Sequence, residues 1–294
     1  MIIITADVGG SKTTVAITKD GERMILARGP GAGVRPGRAL TSATAIADQI
    51  RSAMAQANLL KADAVIVGAA GAGRTPDAEE IRVSLARERI AGKVIVVSDV
   101  MLAFAALGVD VGVVLVAGTG SVAVGRTPAG KMVRQGGFGW QMGDEGAGYW
   151  IGQQALRAVG LAEDGRAPAT SLRAALLKAV GAPDFRDVVG WSTVATPREV
   201  ANLSRAVVHS ADDGDPVAKG ILDRAATELA RLVNQLAGEF PNPGAIPVGL
   251  AGGLLSAGGP LGGPVSALLQ APFVPLNEAV DPLLGGPKLL AASA

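Results

Sequence analysis

Two short glycine-rich segments, each set between apolar runs, constrain the fold of this chain more than any other feature. Residues 7–13 (DVGGSKT) follow the apolar run at 2–4, and residues 118–121 (GTGS) follow the apolar run at 113–116. Each segment leads into a second strand-like run, so each predicts a turn that closes a β-hairpin. A turn that opens a helix would instead be followed by apolar residues at helical spacing. The chain therefore contains two copies of a strand–turn–strand unit.

The composition of the two turns suggests a phosphate ligand. Glycine has no Cβ and adopts positive φ, so backbone N–H groups in such turns can approach a ligand closely. Ser11, Lys12, Thr13 and Thr119 add hydroxyls and a cation that suit phosphate oxygens. One such turn is a weak signal, because a Gly-Gly pair occurs in many tight hairpins. Two turns predict that a nucleotide's phosphates are held from both sides of a cleft.

Composition narrows the class of protein. The 294 residues are enough for two compact domains, and 49% are hydrophobic with only 3% aromatic, as in α/β proteins. Twenty-seven basic and 26 acidic residues give a net charge of +1, so neither nucleic acid nor an anionic membrane is an expected partner. With no cysteine, disulfides and thiolate metal or iron–sulfur sites are excluded. Thr5 interrupts the apolar N-terminus, so no signal peptide is expected and a cytoplasmic location is predicted.

The order of the predicted elements repeats in the two halves. The first half predicts strands at 2–6, 14–18, 24–28, 64–69 and 93–98, with helices at 38–58, 77–90 and 100–107. The second half predicts strands at 112–117, 121–125, 131–134 and 246–251, helices that start near Thr196 and Asp215, and a closing helix at 282–290. We therefore expect two related α/β domains, residues 1–108 and 109–280, with the closing segment 281–294 able to pack back on the first.

Two carboxylates stand at the ends of predicted strands. Asp7 ends an apolar strand and needs a partner there. Magnesium, held through water beside a triphosphate, would be a natural one. Asp99 ends the strand at 93–98 and opens an apolar helix, so it is either a helix N-cap or a general base at the carboxyl edge of a sheet.

Residues 136–148 (GGFGWQMGDEGAG) form the most unusual segment, with six glycines and two adjacent carboxylates. Its large apolar side chains are Phe138, Trp140 and Met142. This pattern predicts that the apolar side chains pack inward and that Asp144 and Glu145 face a pocket; a flexible loop is the alternative. We expect residues 258–264 to be a loop beside the nucleotide, and Trp191 to pack at the start of a helix.

These motifs resemble a known family. The two turns, Ser98-Asp99, Gly136-Gly137-Phe138-Gly139, Met142-Gly143-Asp144-Glu145-Gly146 and Gly252-Gly253 occur in the order seen in N-acetylglucosamine kinases. The wider BadF/BadG/BcrA/BcrD group includes glucosamine kinases and the ATPase subunits of benzoyl-CoA reductase, within the superfamily of actin, hexokinase and the heat-shock chaperones. The resemblance spans nearly the whole chain. It implies two ribonuclease H-like domains around a nucleotide cleft.

The resemblance also implies residue roles. It assigns Asp99 as the catalytic base, Asp7 as the residue that organises Mg²⁺, and Asp144 as a contact to sugar hydroxyls. The residues it assigns to ATP are Gly9, Gly10, Ser11, Lys12, Thr13, Gly118, Thr119, Gly120, Gly252 and Gly253. Those it assigns to the sugar are Gly33, Asp99, Gly137 and Asp144. The reaction implied is transfer of the γ-phosphoryl group of ATP to a hydroxyl of N-acetylglucosamine, glucosamine or a related hexose, by a protein that is often a homodimer.

Several positions depart from the family pattern. Gly33 stands where these kinases carry a sugar-binding asparagine, Val122 replaces another asparagine, and residues 69–74 offer no serine near the acetamide. A site with fewer hydrogen-bonding side chains discriminates less between similar substrates. Arg35 and Arg74 are alternative contacts for an anionic substituent, or solvated surface residues.

Two other function classes remain open in the sequence. One is an ATPase that acts on a partner protein, although the absence of cysteine argues against the iron–sulfur reductase activators. The other is a sugar-binding sensor that has lost turnover, which the missing sugar contacts favour and the retained Asp99 and glycine turns do not.

Overall fold

The computed structural model describes residues 1–35, 37–241 and 244–293. The chain begins with β1 (Ile2–Val8), β2 (Lys12–Lys19), β3 (Glu22–Pro30), α1 (Ala39–Gln56), β4 (Ala62–Ala69), α2 (Thr75–Arg87), β5 (Ala91–Ser98) and α3 (Asp99–Leu107). It continues with β6 (Gly112–Ala117), β7 (Ser121–Arg126), β8 (Met132–Gly136), α4 (Gly148–Glu163), α5 (Leu172–Val180), α6 (Phe185–Val194), α7 (Pro197–Asn202), α8 (Ser204–Asp212) and α9 (Pro216–Asn234). The last elements are β9 (Ile246–Ala251), α10 (Gly262–Leu268), β10 (Phe273–Pro275) and α11 (Gly285–Ala292).

Contacts between these elements divide the chain into two compact units. The first unit contains Met1–Asp110 and Val280–Ala294, and the second contains Val111–Ala279. Each unit has its own five-stranded mixed sheet and its own apolar core. Within the described ranges, every helix is too short or too polar to cross a bilayer.

The first unit is built on the sheet order β3-β2-β1-β4-β5. β1, β4 and β5 run parallel, and β2 and β3 extend the sheet as an antiparallel hairpin. Alternate residues of β1 face opposite sides: Ile4 packs with the apolar stripe of α1, whereas Ile3 packs with Leu102 of α3. The predicted turn between β2 and β3 is confirmed, and both of its residues, Asp20 and Gly21, have positive φ as a tight hairpin requires.

The C-terminal segment completes the first unit. α11 packs against α3 and β1. Lys288 Nζ donates to the carbonyl oxygen of Ala106 at 2.9 Å, and Arg23 on β3 pairs with Asp281 at 2.6 Å. The final residues therefore lie on the same face of the sheet as α3.

The second unit repeats the strand pattern with a larger helical part. Its sheet order is β10-β9-β6-β7-β8, in which β6 pairs with β7 antiparallel and with β9 parallel. The amphipathic helix α9 buries Ile221, Leu229 and Val233 in the core. Phe240 and Phe273 meet edge to face with ring centroids 5.8 Å apart.

Two expectations about the second unit are wrong, and one strand was not predicted. Residues 262–264 are not loop: they form the first turn of α10, where proline is tolerated because that N–H needs no helical partner. Burial of Leu261 and Val265 stabilises this helix despite its glycines. Trp191 lies in the second half of α6 rather than at a helix start. The short strand β10, which pairs parallel with β9, was not predicted because its three residues show no alternating pattern.

Candidate functional site

The first glycine turn joins β1 to β2 as the sequence predicts. Val8 pairs with Thr13 across the hairpin, and Gly9 N–H donates to the carbonyl oxygen of Lys12 at 2.9 Å. The side chain of Lys12 is exposed on the turn. Thr13 differs, because its side chain is fully buried and its Oγ1 has no hydrogen-bond partner among the described residues. Side-chain contacts from this turn to a ligand would therefore come from Ser11 and Lys12.

A second segment supports the first turn from outside. Gly33 N–H donates to the carbonyl oxygen of Gly9 at 3.2 Å, and Val34 N–H donates to that of Ala70 at 2.7 Å. Gly31 lies so close that a Cβ there would stand 2.3 Å from the carbonyl oxygen of Gly10. The N–H group of Gly33, the expected sugar contact, is therefore hydrogen-bonded to the first turn.

Replacing Gly31 with alanine should displace the first turn. The new methyl group meets backbone atoms of Gly10, which cannot rotate away. We expect the dissociation constant for MgATP to rise about 10-fold, which is the effect expected for the loss of about one hydrogen bond to the phosphates. Titration calorimetry measures this. Gly29→Ala is the matched control, since its Cβ meets only the flexible end of Gln49. Equal affinities for both variants would contradict the support role of Gly31.

The strand register brings two predicted carboxylates to one edge of the first sheet. Asp7 on β1 pairs with Gly68 on β4, which pairs with Val97 on β5, two residues before Asp99. Since the three strands are parallel, all end at this edge. The helix N-cap of α3 is Ser98, whose Oγ accepts from Met101 N–H, so the N-cap interpretation of Asp99 is wrong. Asp99 Oδ1 accepts from Val100 N–H at 2.9 Å.

The carboxyl group of Asp7 has a raised pKa at this edge. Burial raises its pKa from 3.8 to about 6, and the negative charges of Asp99 and Asp281 add to the effect while Lys12 opposes it. The charges of Asp7 and Asp99 repel each other, and a divalent cation near Asp7 would offset this repulsion. Among the described residues no group of three or more His, Asp or Glu side chains could hold a metal ion by itself. These residues therefore fit Mg²⁺ that Asp7 would hold through water beside phosphates, since Mg²⁺ usually keeps several waters.

The raised pKa of Asp7 predicts a pH-dependent stability. The folded chain holds this proton up to about pH 6 and the unfolded chain only to about pH 4, so ionisation of Asp7 destabilises the fold as pH rises between these values. Asp7→Asn should therefore increase the free energy of unfolding by about 1–3 kcal/mol at pH 8 and by much less at pH 4. Denaturant unfolding in the presence of a chelator measures the difference.

The exposed residue Glu80 on α2 provides the control for this experiment. Glu80→Gln should leave the free energy of unfolding unchanged at both pH values, because a solvated carboxylate contributes little. A gain for Asp7→Asn that is the same at pH 4 and pH 8 would contradict the electrostatic cause.

The second glycine turn joins β6 to β7, again as predicted. Gly118 N–H donates to the carbonyl oxygen of Gly120 at 2.9 Å. The carbonyl oxygens of Gly118 and Thr119 accept from Gly148 N–H at 2.9 Å and Tyr149 N–H at 3.1 Å, the first residues of α4. The turn is thus hydrogen-bonded to the N-terminus of α4.

Asp144 lies beneath this turn. Its side chain is buried, its φ is +61°, and its Oδ1 accepts from Ser121 N–H at 3.1 Å. Burial raises the pKa of its carboxyl group, and the hydrogen bond from Ser121 opposes that shift.

The predicted inward packing of Phe138, Trp140 and Met142 is wrong. Phe138, Trp140 and Met142 expose 69%, 42% and 78% of their surface, whereas Asp144 is buried. Backbone turns with positive φ at Gly136, Gly137 and Gly139 direct the apolar side chains outward. The guanidinium group of Arg134 binds the carbonyl oxygens of Gly136 and Gly137 and holds this shape. Hydrophobicity alone suggested the opposite orientation.

Gly252 and Gly253 follow β9 and need glycine for different reasons. Gly252 has a φ of +93°, and a Cβ there would lie 2.3 Å from the carbonyl oxygen of Ala117. Gly253 has no heavy atom within 4 Å of its Cβ position and no positive φ. The fold thus requires glycine at 252, whereas no described neighbour requires it at 253.

Sequence reasoning missed three contributors to these sites. Gly31 packs against Gly10 of the first turn, and Arg134 binds a carbonyl oxygen of the glycine-rich segment. The charge of Asp281 raises the pKa of Asp7. Asp281 is far from Asp7 in the chain, and no local pattern connects them. Of the two arginines considered for an anionic substituent, Arg74 pairs with Asp77 at 2.9 Å and Arg35 is exposed.

Together, the paired glycine turns and the strand-end carboxylates define an α/β protein with phosphate-type turns in two sheets of like topology. The chain belongs to the BadF/BadG/BcrA/BcrD ATPase family, whose model matches residues 6–261. The resemblance seen in the sequence is confirmed.

Three relatives of this chain are named as kinases of amino sugars. An N-acetylmuramic acid/N-acetylglucosamine kinase of Clostridium acetobutylicum is 36% identical over 58% of this chain and 57% of its own length. An N-acetyl-D-glucosamine kinase of Dictyostelium discoideum is 35% identical over 42% of this chain and 40% of its own. The matched regions thus span about half the length of these relatives or less.

Among solved structures, a candidate N-acetylglucosamine kinase of Chromobacterium violaceum has a TM-score of 0.78 and 27% identity, covering 98% of both chains. A ROK family glucokinase of Streptomyces griseus, solved with glucose and AMPPNP, has a TM-score of 0.63 and 17% identity over the full length of both, which shows the fold alone. The predicted actin- and hexokinase-like α/β fold is confirmed.

Proposed function

We propose that this protein is an ATP-dependent kinase that transfers the γ-phosphoryl group to a hydroxyl of an amino sugar. The observation that carries the proposal is the position of Asp7 and Asp99 at one edge of the first sheet, next to the glycine turn at 9–12. The names of its curated relatives, all kinases of amino sugars, support the substrate class.

In this proposal Asp99 is the general base. A carboxylate at the start of a helix, at the carboxyl edge of a sheet, can accept the proton of a sugar hydroxyl as the oxygen attacks phosphorus. Its bond from Val100 N–H fixes one carboxyl oxygen at 2.9 Å and thereby orients the group. Asp7 would hold Mg²⁺ through water, and the ion would neutralise phosphate charge.

The glycine turns would bind phosphate oxygens through backbone N–H groups, with Lys12 adding a positive charge. In the second unit, Gly118, Thr119 and Gly120 would serve the phosphates and Gly252-Gly253 the adenosine. Catalysis would then consist mainly of positioning and charge stabilisation, as in other phosphoryl transfers. Gly33, Gly137 and Asp144 stay as candidate sugar contacts, and all three now have backbone or side-chain hydrogen bonds within their own units.

A coupled ADP-release assay with a sugar panel tests the proposal. The panel contains N-acetylglucosamine, glucosamine, N-acetylmuramic acid, glucose and a no-sugar control. A kinase gives ADP release that depends on one or more amino sugars. ADP release that is equal without sugar would support an ATPase instead, and ATP binding without any release would support a sensor.

A further inference from the structure

The segment from Asp144 to Tyr149 makes contacts that nothing in its predicted role explains. Four hydrogen bonds connect it to the second glycine turn. They join Asp144 Oδ1 to Ser121 N–H, the Glu145 carbonyl oxygen to Ser121 Oγ, Gly148 N–H to the Gly118 carbonyl oxygen and Tyr149 N–H to the Thr119 carbonyl oxygen. Their lengths lie between 2.9 and 3.1 Å. We call residues 144–149 the turn clamp.

Within the clamp, the carboxyl group of Asp144 lies against Gly120 in the middle of the turn. A Cβ on Gly120 would stand 2.5 Å from Asp144 Oδ2 and 2.8 Å from Oδ1. Both carboxyl oxygens therefore lie directly under Gly120, while Oδ1 also accepts the Ser121 N–H. The carboxylate fills the space on the inner side of the turn.

This arrangement fixes the direction of the turn's peptide groups. The carbonyl oxygens of Gly118 and Thr119 are held by the N-terminal N–H groups of α4, which are otherwise unpaired in a helix. In a trans peptide group the N–H points opposite to the C=O. When the carbonyl oxygens are held on one side of the turn, the N–H groups of the same peptides therefore point to the other side. Preorganised donors of this kind bind an anion without reorganising first.

We propose that Asp144 is a positioning residue, which keeps the turn at 118–121 in its phosphate-binding shape through the Ser121 N–H bond and the packing under Gly120. The proposal rests on the proposed nucleotide-binding function of this turn. It differs from a sugar contact because it acts on nucleotide affinity in the absence of any sugar.

The test compares Asp144→Ala, Asp144→Asn and Asp184→Ala by calorimetric titration with MgATP, without sugar. Asp144→Ala should raise the dissociation constant about 10- to 100-fold, the range for loss of a buried hydrogen bond to a charged group. Asp144→Asn keeps an acceptor oxygen at the Oδ1 position and should stay within about 3-fold of the unsubstituted protein. Asp184 also accepts backbone N–H bonds, but at the exposed start of α6, so Asp184→Ala should leave the affinity unchanged.

A second measurement does not depend on nucleotide. Amide hydrogen exchange of residues 118–121 should become faster in Asp144→Ala and remain slow in Asp144→Asn, because the Ser121 N–H loses its acceptor only in the first. Unchanged exchange and unchanged MgATP affinity in Asp144→Ala would overturn the positioning role. If the unsubstituted protein binds no MgATP, the proposed function fails, whereas the exchange result still decides whether Asp144 holds the turn.

Discussion

Replacing Asp99 with asparagine should reduce sugar phosphorylation at least about 100-fold, within the range for loss of a general base. The amide keeps an acceptor for Val100 N–H, so the start of α3 should keep its shape. It cannot accept the proton of the attacking hydroxyl. Because the change leaves the glycine turns intact, the dissociation constant for MgATP should stay within about 3-fold. Steady-state kinetics and calorimetric titration measure the two quantities separately.

Asp281→Asn provides the matched control for Asp99→Asn. Asp281 also lies close enough to Asp7 to raise its pKa, but its carboxyl oxygens accept from Leu283 N–H and from Arg23. Removing its charge should alter turnover by less than about 5-fold, as expected for a half-exposed ion pair. Near-normal turnover of Asp99→Asn, or an equal loss in both variants, would show that Asp99 is not the base.

The second large effect is expected from the neighbouring glycines after β9. Gly252→Ala introduces a methyl group at a φ of +93° and 2.3 Å from a backbone oxygen, and neither can relax without moving β6 or β9. We expect a loss of about 2–4 kcal/mol in the free energy of unfolding and a melting temperature about 5–10 °C lower. Thermal unfolding followed by circular dichroism measures this change.

Gly253→Ala should behave in the opposite way. Its Cβ position is open, so the melting temperature should stay within about 1–2 °C, while MgATP affinity should fall if adenosine lies against this backbone. Gly190→Ala on exposed α6, where the Cβ position is also open, is the control for both measurements. Stable folding of Gly252→Ala, or normal MgATP affinity of Gly253→Ala, would contradict the separate roles given to these two glycines.

The sequence predicts the parts of this structure that depend on local pattern. Apolar runs separated by Gly-Gly or Gly-Thr-Gly predict both hairpins, and the aspartates that follow apolar strands predict the edge where Asp7 and Asp99 lie. Such patterns work because side-chain alternation and strand direction follow directly from the backbone.

Orientation within irregular segments could not be predicted in the same way. In the glycine-rich segment, backbone turns of positive φ direct Trp140 outward, although its hydrophobicity predicts that it packs inward. The contact between Gly31 and Gly10, and the charge of Asp281 near Asp7, depend on tertiary packing that sequence spacing does not encode. Turn chemistry and packing decide these positions, and hydrophobicity does not.

The most direct test of the kinase proposal is phosphorus NMR of the unsubstituted protein with MgATP and N-acetylglucosamine or glucosamine. We predict a new phosphomonoester resonance whose proton coupling identifies the phosphorylated hydroxyl, growing in equal amount with ADP. Formation of inorganic phosphate in place of a sugar phosphate, at a rate independent of added sugar, would contradict phosphoryl transfer to an amino sugar.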